Sequence, residues 1–320
     1  MEASSLSINV QNETDDFITY HPIETAPDLG HAVNTPAPFT PNKSIENEND
    51  MINNRFNSLD FYVNSYPTDF NSINLFKNEW SSILPGELAA FGGGSQLFDD
   101  SRVKYWVNKI SEYFPVSLSN PSLFNVLELG PLEGGHTFML SKNGWNITAI
   151  ESNARAFLKC LITANIYKTN AKFLLGNFER FFESDNIGKK IDFILASGVL
   201  YHLKKPTESL RLMLNHCNSI GIWTHYITDD FIKQQPNRWK EEIYRDEVAN
   251  ESIQGWKQYY NEGLENPGFC GGGQDFSIWL KKEQILSTLD LCGFSYDIKA
   301  TDETSPSGPN ITLFAARKLG

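Results

Sequence analysis

The chain has 320 residues, of which 40% are hydrophobic, 13% aromatic and 21% charged, which suits one large or two modest folded domains and excludes wholesale disorder. Its 27 Lys and Arg against 39 Asp and Glu leave a net charge of −12, which repels phosphate backbones and disfavours a broad nucleic-acid groove. No apolar run reaches the roughly 20 residues of a membrane helix. The start, MEASSLSINV, also lacks the basic and apolar stretches of a secretion signal, so a soluble, cytoplasmic protein with no membrane partner is expected.

Residues 1–54 are rich in Asn, Pro, Ser, Thr and acids without a sustained period, and a disordered or loosely packed tail is expected there. Residues 55–120 read as an N-terminal helical cap. Within them, FDDSRVKYWVNKISEYF sets Val103, Trp106, Val107 and Ile110 at helical spacing behind an N-cap at Asp99 or Asp100.

From 121 to 320 the pattern becomes a regular alternation. FNVLELG, NITAIE, AKFLLGNF, IDFILASGV and SIGIWTHYI read as strands, with helices or a short helical turn between them. Continuous apolar strands separated by helices predict a parallel sheet covered on both faces. An aromatic insert at 229–275 interrupts the rhythm and is expected to cap a substrate site. WLKKEQILSTLDLCG then reads as a helix, and FSYDIKATD with ITLFAARK as a closing hairpin. The fold class is therefore α/β, Rossmann-like: a seven-stranded, mostly parallel sheet with a C-terminal antiparallel hairpin and helices on both faces.

Chemistry collects at the predicted strand ends. The first strand runs into Glu128-Leu129-Gly130-Pro131-Leu132-Glu133-Gly134-Gly135, a glycine turn ahead of a helix start, where bare backbone N–H groups face a ligand. The second ends in Glu151-Ser152, an acid placed to accept hydrogen bonds from ribose hydroxyls. The spacing does not fit G-x-G-x-x-G, and the closing hairpin does not extend a six-stranded dinucleotide sheet, which lowers a dehydrogenase reading. The four cysteines (Cys160, Cys217, Cys270, Cys292) form no C-x-x-C pair and read as reduced thiols, without a disulfide frame or zinc site.

This order of elements and motifs resembles the class I S-adenosylmethionine-dependent methyltransferases over about Asp100 to Lys318. Glu128, Gly130 and Gly134 match the family's E/D-x-G-x-G-x-G loop around the methionine part of the cofactor, with Leu132 replacing the middle glycine. The resemblance implies that Glu151, with Ser152 beside it, holds the ribose. It places Asn177-Phe178 against the adenine and Ser197 beside the methionine moiety. Arg102 is assigned either to the cofactor carboxylate or to an ion pair with Asp99 or Asp100.

The implied cofactor is S-adenosyl-L-methionine, and the implied partner is a small-molecule methyl acceptor. His202, His225 and Tyr201 lie on the rim where the acceptor is expected, and a rim histidine could take the acceptor's proton. His136 reads as structural. Asp229-Asp230 is faintly similar to the metal-binding acids of cation-dependent O-methyltransferases, but the further ligands are missing and no metal is expected. A local similarity of ASGVLYHLKKPTESL to the tRNA wobble-uridine carboxymethyltransferase family offers a second reading. A third is a non-catalytic cofactor-binding protein, which the Leu132 replacement allows. The acceptor atom stays open between O, N, S and C, and no motif speaks to the oligomeric state.

Overall fold

The protein's structure is a computed structural model that describes residues 62–183, 190–265 and 269–318. The tail expected over 1–54 lies outside the described residues. Helix α1 (Asp69–Asn74) and helix α2 (Ser101–Tyr113) precede the alternating region. Asp100 is the N-cap of α2 and accepts from the Arg102 N–H at 2.7 Å.

The alternating region then runs β1 (Asn125–Leu129), α3 (Gly135–Ser141), β2 (Asn146–Glu151), α4 (Ala154–Tyr167), β3 (Lys172–Leu175), α5 (Phe178–Phe182), β4 (Ile191–Ser197), α6 (Pro206–His216) and β5 (Cys217–His225). After it come α7 (Asp229–Gln234), β6 (Lys240–Asp246), β7 (Glu251–Tyr259), β8 (Phe276–Trp279), α8 (Lys282–Leu291), β9 (Phe294–Asp302) and β10 (Asn310–Arg317).

Seven strands form one sheet in the order β3-β2-β1-β4-β5-β10-β9. β1 to β5 pair in parallel, and β10 runs antiparallel to both β5 and β9. This is the Rossmann-like sheet with a closing hairpin that the sequence pattern predicts.

Alternation along each strand gives the sheet two apolar faces. Val126, Phe193 and Leu195 join Trp106 and Ile110 of α2 in one core. Leu127, Leu129 and Ile194 join Leu210 and Met213 of α6 and Ile285 of α8 in the other. Trp106 is fully buried and donates its indole N–H to the Leu313 carbonyl at 2.8 Å, so its polar atom is satisfied inside the core.

Two parts of the expected layout are corrected. The stretch 62–120 is not a helical cap throughout: ahead of α2 it holds only the six-residue α1, 3₁₀ turns at Gly86–Phe91 and Leu97–Asp99, and a bridge between Ser82 and Ser95. Pro85 and the Gly92-Gly93-Gly94 run interrupt helical hydrogen bonding there. The insert also reaches past 275. β6, β7 and β8 form a separate three-stranded antiparallel sheet, so Phe276–Trp279 is strand, and α8 begins only at Lys282. Trp256 pairs across the ladder with Trp279, and this aromatic register overrides helical periodicity in WLKK.

The 62–100 segment is fastened to the first loop. Buried Glu133 accepts the N–H groups of Ser81 and Ser82, each at 2.8 Å, and takes an ion pair from Lys159 of α4 at 2.8 Å. The Lys159 ammonium also donates to the Glu79 carbonyl at 2.7 Å. Ser95 to Arg102 are thereby carried over the carboxyl ends of the strands.

Candidate functional site

Strand order reverses between β1 and β4, and a cavity of about 1230 Å³ opens at the carboxyl ends of β1, β2 and β4. Such a switch point leaves room between helices that diverge to opposite faces, which is where α/β sheets bind ligands. The volume is at the upper end of the roughly 300–1,000 Å³ usual for a small-molecule pocket and somewhat beyond it.

The floor is the turn after β1. Gly130 lines the cavity with φ +61°, and Gly134 caps α3 with φ +77°. Leu132, where the resemblance places a glycine, has φ +57°. The turn thus keeps the left-handed backbone that glycine favours, at a cost of roughly 1–2 kcal/mol for a residue with a Cβ. Glu128 lies beneath this turn. It is buried, does not line the cavity, and accepts from the Thr137 hydroxyl. Burial pushes its carboxyl up to about 7, the Glu151 charge adding to the shift and the Thr137 hydrogen bond opposing it.

Glu151 lines the cavity beside Ser152. Its Oε1 accepts the Asn153 N–H at 2.8 Å and its Oε2 accepts the Leu132 N–H at 3.0 Å. Burial raises its pKa against the pull of those backbone donors and of Lys159. Each carboxylate oxygen keeps lone-pair capacity for a further donor.

Asn177 and Phe178 line the next section of wall. The Asn177 Oδ1 caps α5 by accepting from Glu179 N at 2.7 Å and Arg180 N at 3.3 Å. Its amide NH₂, a donor, is the group left for a ligand. Ser197 and Gly198 close the wall at the end of β4, where the Gly198 N–H donates to the Trp223 carbonyl at 2.9 Å.

At the opposite end, Arg102 forms a two-pronged pair with Asp100, its Nε at 2.9 Å and its Nη2 at 2.5 Å from Oδ2. Its guanidinium lies 4.5 Å from the Trp223 ring centre. The ion pair with Asp100 is therefore formed, and Arg102 also lines the cavity. His136 completes this corner with its Nε2 at 3.0 Å from the Asp100 Oδ2. Burial would raise the Asp100 pKa, but hydrogen bonds and charge from His136 and Arg102 hold it well below the usual carboxylate range. Burial lowers His136 despite Asp100, so the imidazole is favoured in its neutral form.

The three proposed rim residues separate. Tyr201 and His202 sit on the 3₁₀ turn Leu200–His202 and line the cavity. Burial lowers the His202 pKa to about 4, with the His225 charge adding to the shift, so its ring is neutral at ordinary pH. His225 lies behind them and outside the cavity lining. Its Nδ1 is 3.0 Å from the Gly308 carbonyl and 3.2 Å from that of Pro309, and its ring stacks on Trp279 at 4.9 Å. Two carbonyl acceptors require a proton on Nδ1, so His225 is held as part of the packing between sheet and insert. Burial raises the Tyr201 phenol well above its usual range.

Trp223, Asp100 and His136 also line the cavity, though sequence motifs did not mark them for it, and Cys270, Gly272, Gly273 and Gln274 of the insert line it too. The insert reaches the core through the Asn153 amide, which donates to the Phe269 carbonyl at 3.0 Å. Asp229 and Asp230 pair with Lys281 and Lys233, and no group of three or more His, Cys, Asp or Glu is placed to hold a metal among the described residues. No helix of the described residues is long and apolar enough to cross a membrane.

No protein-family model matches the chain, and no curated protein matches it in sequence. Its fold is similar to that of solved structures. The N-terminal domain of EvdMO1 with SAH bound aligns with a TM-score of 0.53 and 16% identity, over 78% of this chain and 95% of that one. The same domain in the presence of SAH and D-fucose gives 0.51 and 16% over the same shares. Full EvdMO1 gives 0.50 and 17%, over 78% of this chain and 46% of that one.

Proposed function

We propose that this chain is an S-adenosylmethionine-dependent methyltransferase acting on a small-molecule acceptor, with His202 as the base. The observation that carries the reading is Glu151: a buried carboxylate on the cavity wall, fixed by two backbone N–H groups, with capacity left for the two ribose hydroxyls.

The residues present fit that cofactor. Gly130 to Leu132 offer a backbone cradle, and a Cβ built on Gly130 would come within 3.6 Å of Val199 across it. Phe178 supplies an apolar face for adenine and the Asn177 NH₂ a donor for a ring nitrogen. Ser197 and the Nη1 of Arg102 suit the polar methionine end. When bound, the cofactor supplies a methyl group already activated on a sulfonium. The chain then has to align the acceptor, exclude water and take up its proton.

His202 suits that proton because it is neutral and lines the cavity, whereas His225 does not. SAH bound to a protein of similar fold, and D-fucose present with it, support the cofactor and a small acceptor. Those structures lend nothing to the tRNA wobble-uridine reading, and the net charge of −12 opposes it. The left-handed φ at Leu132 keeps the turn in the shape a cofactor loop needs, which supports cofactor binding.

Titration calorimetry of the purified chain with S-adenosylmethionine and S-adenosylhomocysteine tests the reading. Saturable binding of both is expected, and no binding of either overturns it.

A further inference from the structure

Asp100 ties three pieces of the cavity wall together. It caps α2, its Oδ1 accepting the Arg102 N–H at 2.7 Å. The same carboxylate takes the arginine side chain. Nε lies 3.0 Å from Oδ1 and 2.9 Å from Oδ2, and Nη2 lies 2.5 Å from Oδ2. Oδ2 also meets the Nε2 of His136, in the first turn of α3, at 3.0 Å. The side chains of Asp100 and His136 are each only 9% exposed, so bulk water competes little for these bonds. On its other side the guanidinium lies 4.5 Å from the ring centre of Trp223, whose indole N–H donates to the Asn310 Oδ1 at 3.2 Å.

A guanidinium carries five N–H donors in one rigid plane, and here Nε and Nη2 are spent on Asp100. Arg102 lines the cavity, and among the described residues no hydrogen bond reaches its Nη1. Its neighbours are those of the methionine end. The Trp223 ring beside it is 3.6 Å from where a Cβ on Gly198 would stand, and His136 closely follows the Gly130–Gly134 turn. We propose that Asp100 is a positioning residue: it grips Nε and Nη2 so that Nη1 is held as a fixed donor for the carboxylate of the cofactor's amino-acid end. His136 braces Asp100. Asp100 stays ionised between its two partners and can only accept, so the Nε2 of His136 carries the proton it donates. Without Asp100 the arginine keeps its charge and loses its fixed orientation. A long side chain that must be ordered on binding then gives up part of what the contact contributes.

This inference rests on the methyltransferase reading. Calorimetry compares S-adenosylhomocysteine with its decarboxylated analogue, which keeps the amine and lacks the carboxylate, on the full-length wild type, Asp100→Asn, Arg102→Met and the double variant. Asn caps a helix as well as Asp does, so Asp100→Asn keeps the start of α2 and sets an amide donor against the guanidinium. It should weaken S-adenosylhomocysteine by about tenfold or more and the analogue by no more than about twofold. Asp100→Ser, another good cap that cannot grip both nitrogens, should give the same pattern. In the Arg102→Met background, adding Asp100→Asn should change neither affinity by more than about twofold, because a residue that acts through Arg102 has nothing left to orient. A merely structural Asp100 would weaken both ligands alike in either background, and that result overturns the inference. So does an unchanged S-adenosylhomocysteine affinity in Asp100→Asn, while the methyltransferase reading stands. A wild type that binds neither ligand overturns that reading and the inference with it.

Discussion

The Leu132 N–H donates to Oε2 of Glu151 at 3.0 Å, so the turn after β1 and the tip of β2 hold each other in place. Leu132 makes this bond from a left-handed backbone, with φ +57°. A departure from the glycine pattern and the acid proposed to bind ribose are therefore one structural unit.

Glu151→Ala should weaken S-adenosylhomocysteine binding by about a hundredfold, the loss of two hydrogen bonds to a charged group at about 1.5 kcal/mol each. Calorimetry on the variant checks this, and affinity within threefold of wild type would remove the ribose assignment.

Leu132→Gly fits the existing φ of +57° and should leave ligand affinity within about threefold. Leu132→Pro removes the donor and forces φ near −65°, so it should cost about 3 kcal/mol or more in urea unfolding. Equal effects from the two variants would mean that the backbone conformation is not what matters.

Lys159→Met strips the partner from a fully buried Glu133, and breaking a buried pair costs about 3–5 kcal/mol. The Glu133→Gln, Lys159→Met double variant should recover part of that loss. Thermal unfolding that leaves the single variant unchanged would show that the clamp on the 62–100 segment is dispensable.

The two buried titrating groups act on stability in opposite directions. Glu128 is raised to about 7 from an ordinary 4.5, so its contribution is fully present below pH 4.5 and is lost as pH rises through 7. Glu128→Gln should therefore raise the melting temperature at pH 8 by the equivalent of about 3 kcal/mol and bring no gain at pH 4.5.

His202 is lowered to about 4 from 6.5, so its contribution is present above pH 6.5 and is lost as pH falls through 4. An NMR titration should place its midpoint near 4, and a midpoint near 6.5 would show an imidazole exposed to water.

The order of the parallel strands with their intervening helices, the closing hairpin and the acids and glycines at the strand tips were legible in the sequence. They depend on local period and on residue type at strand ends, which neighbours along the chain encode. Gly130, Glu151, Asn177, Phe178 and Ser197 could be picked out because a parallel sheet brings its carboxyl ends to one edge. Even there, the use of the Asn177 oxygen as a helix cap needed the three-dimensional arrangement.

What only the tertiary structure decided are the encounters between distant segments. Asp100 meets His136, His202 meets Tyr260, and His225 turns away to Trp279. Chain neighbours do not determine such pairs, since each depends on how whole elements pack. His202 lies on the turn after β4 and His225 is the last residue of β5, and neither one's local sequence says which imidazole lines the cavity and which packs behind it.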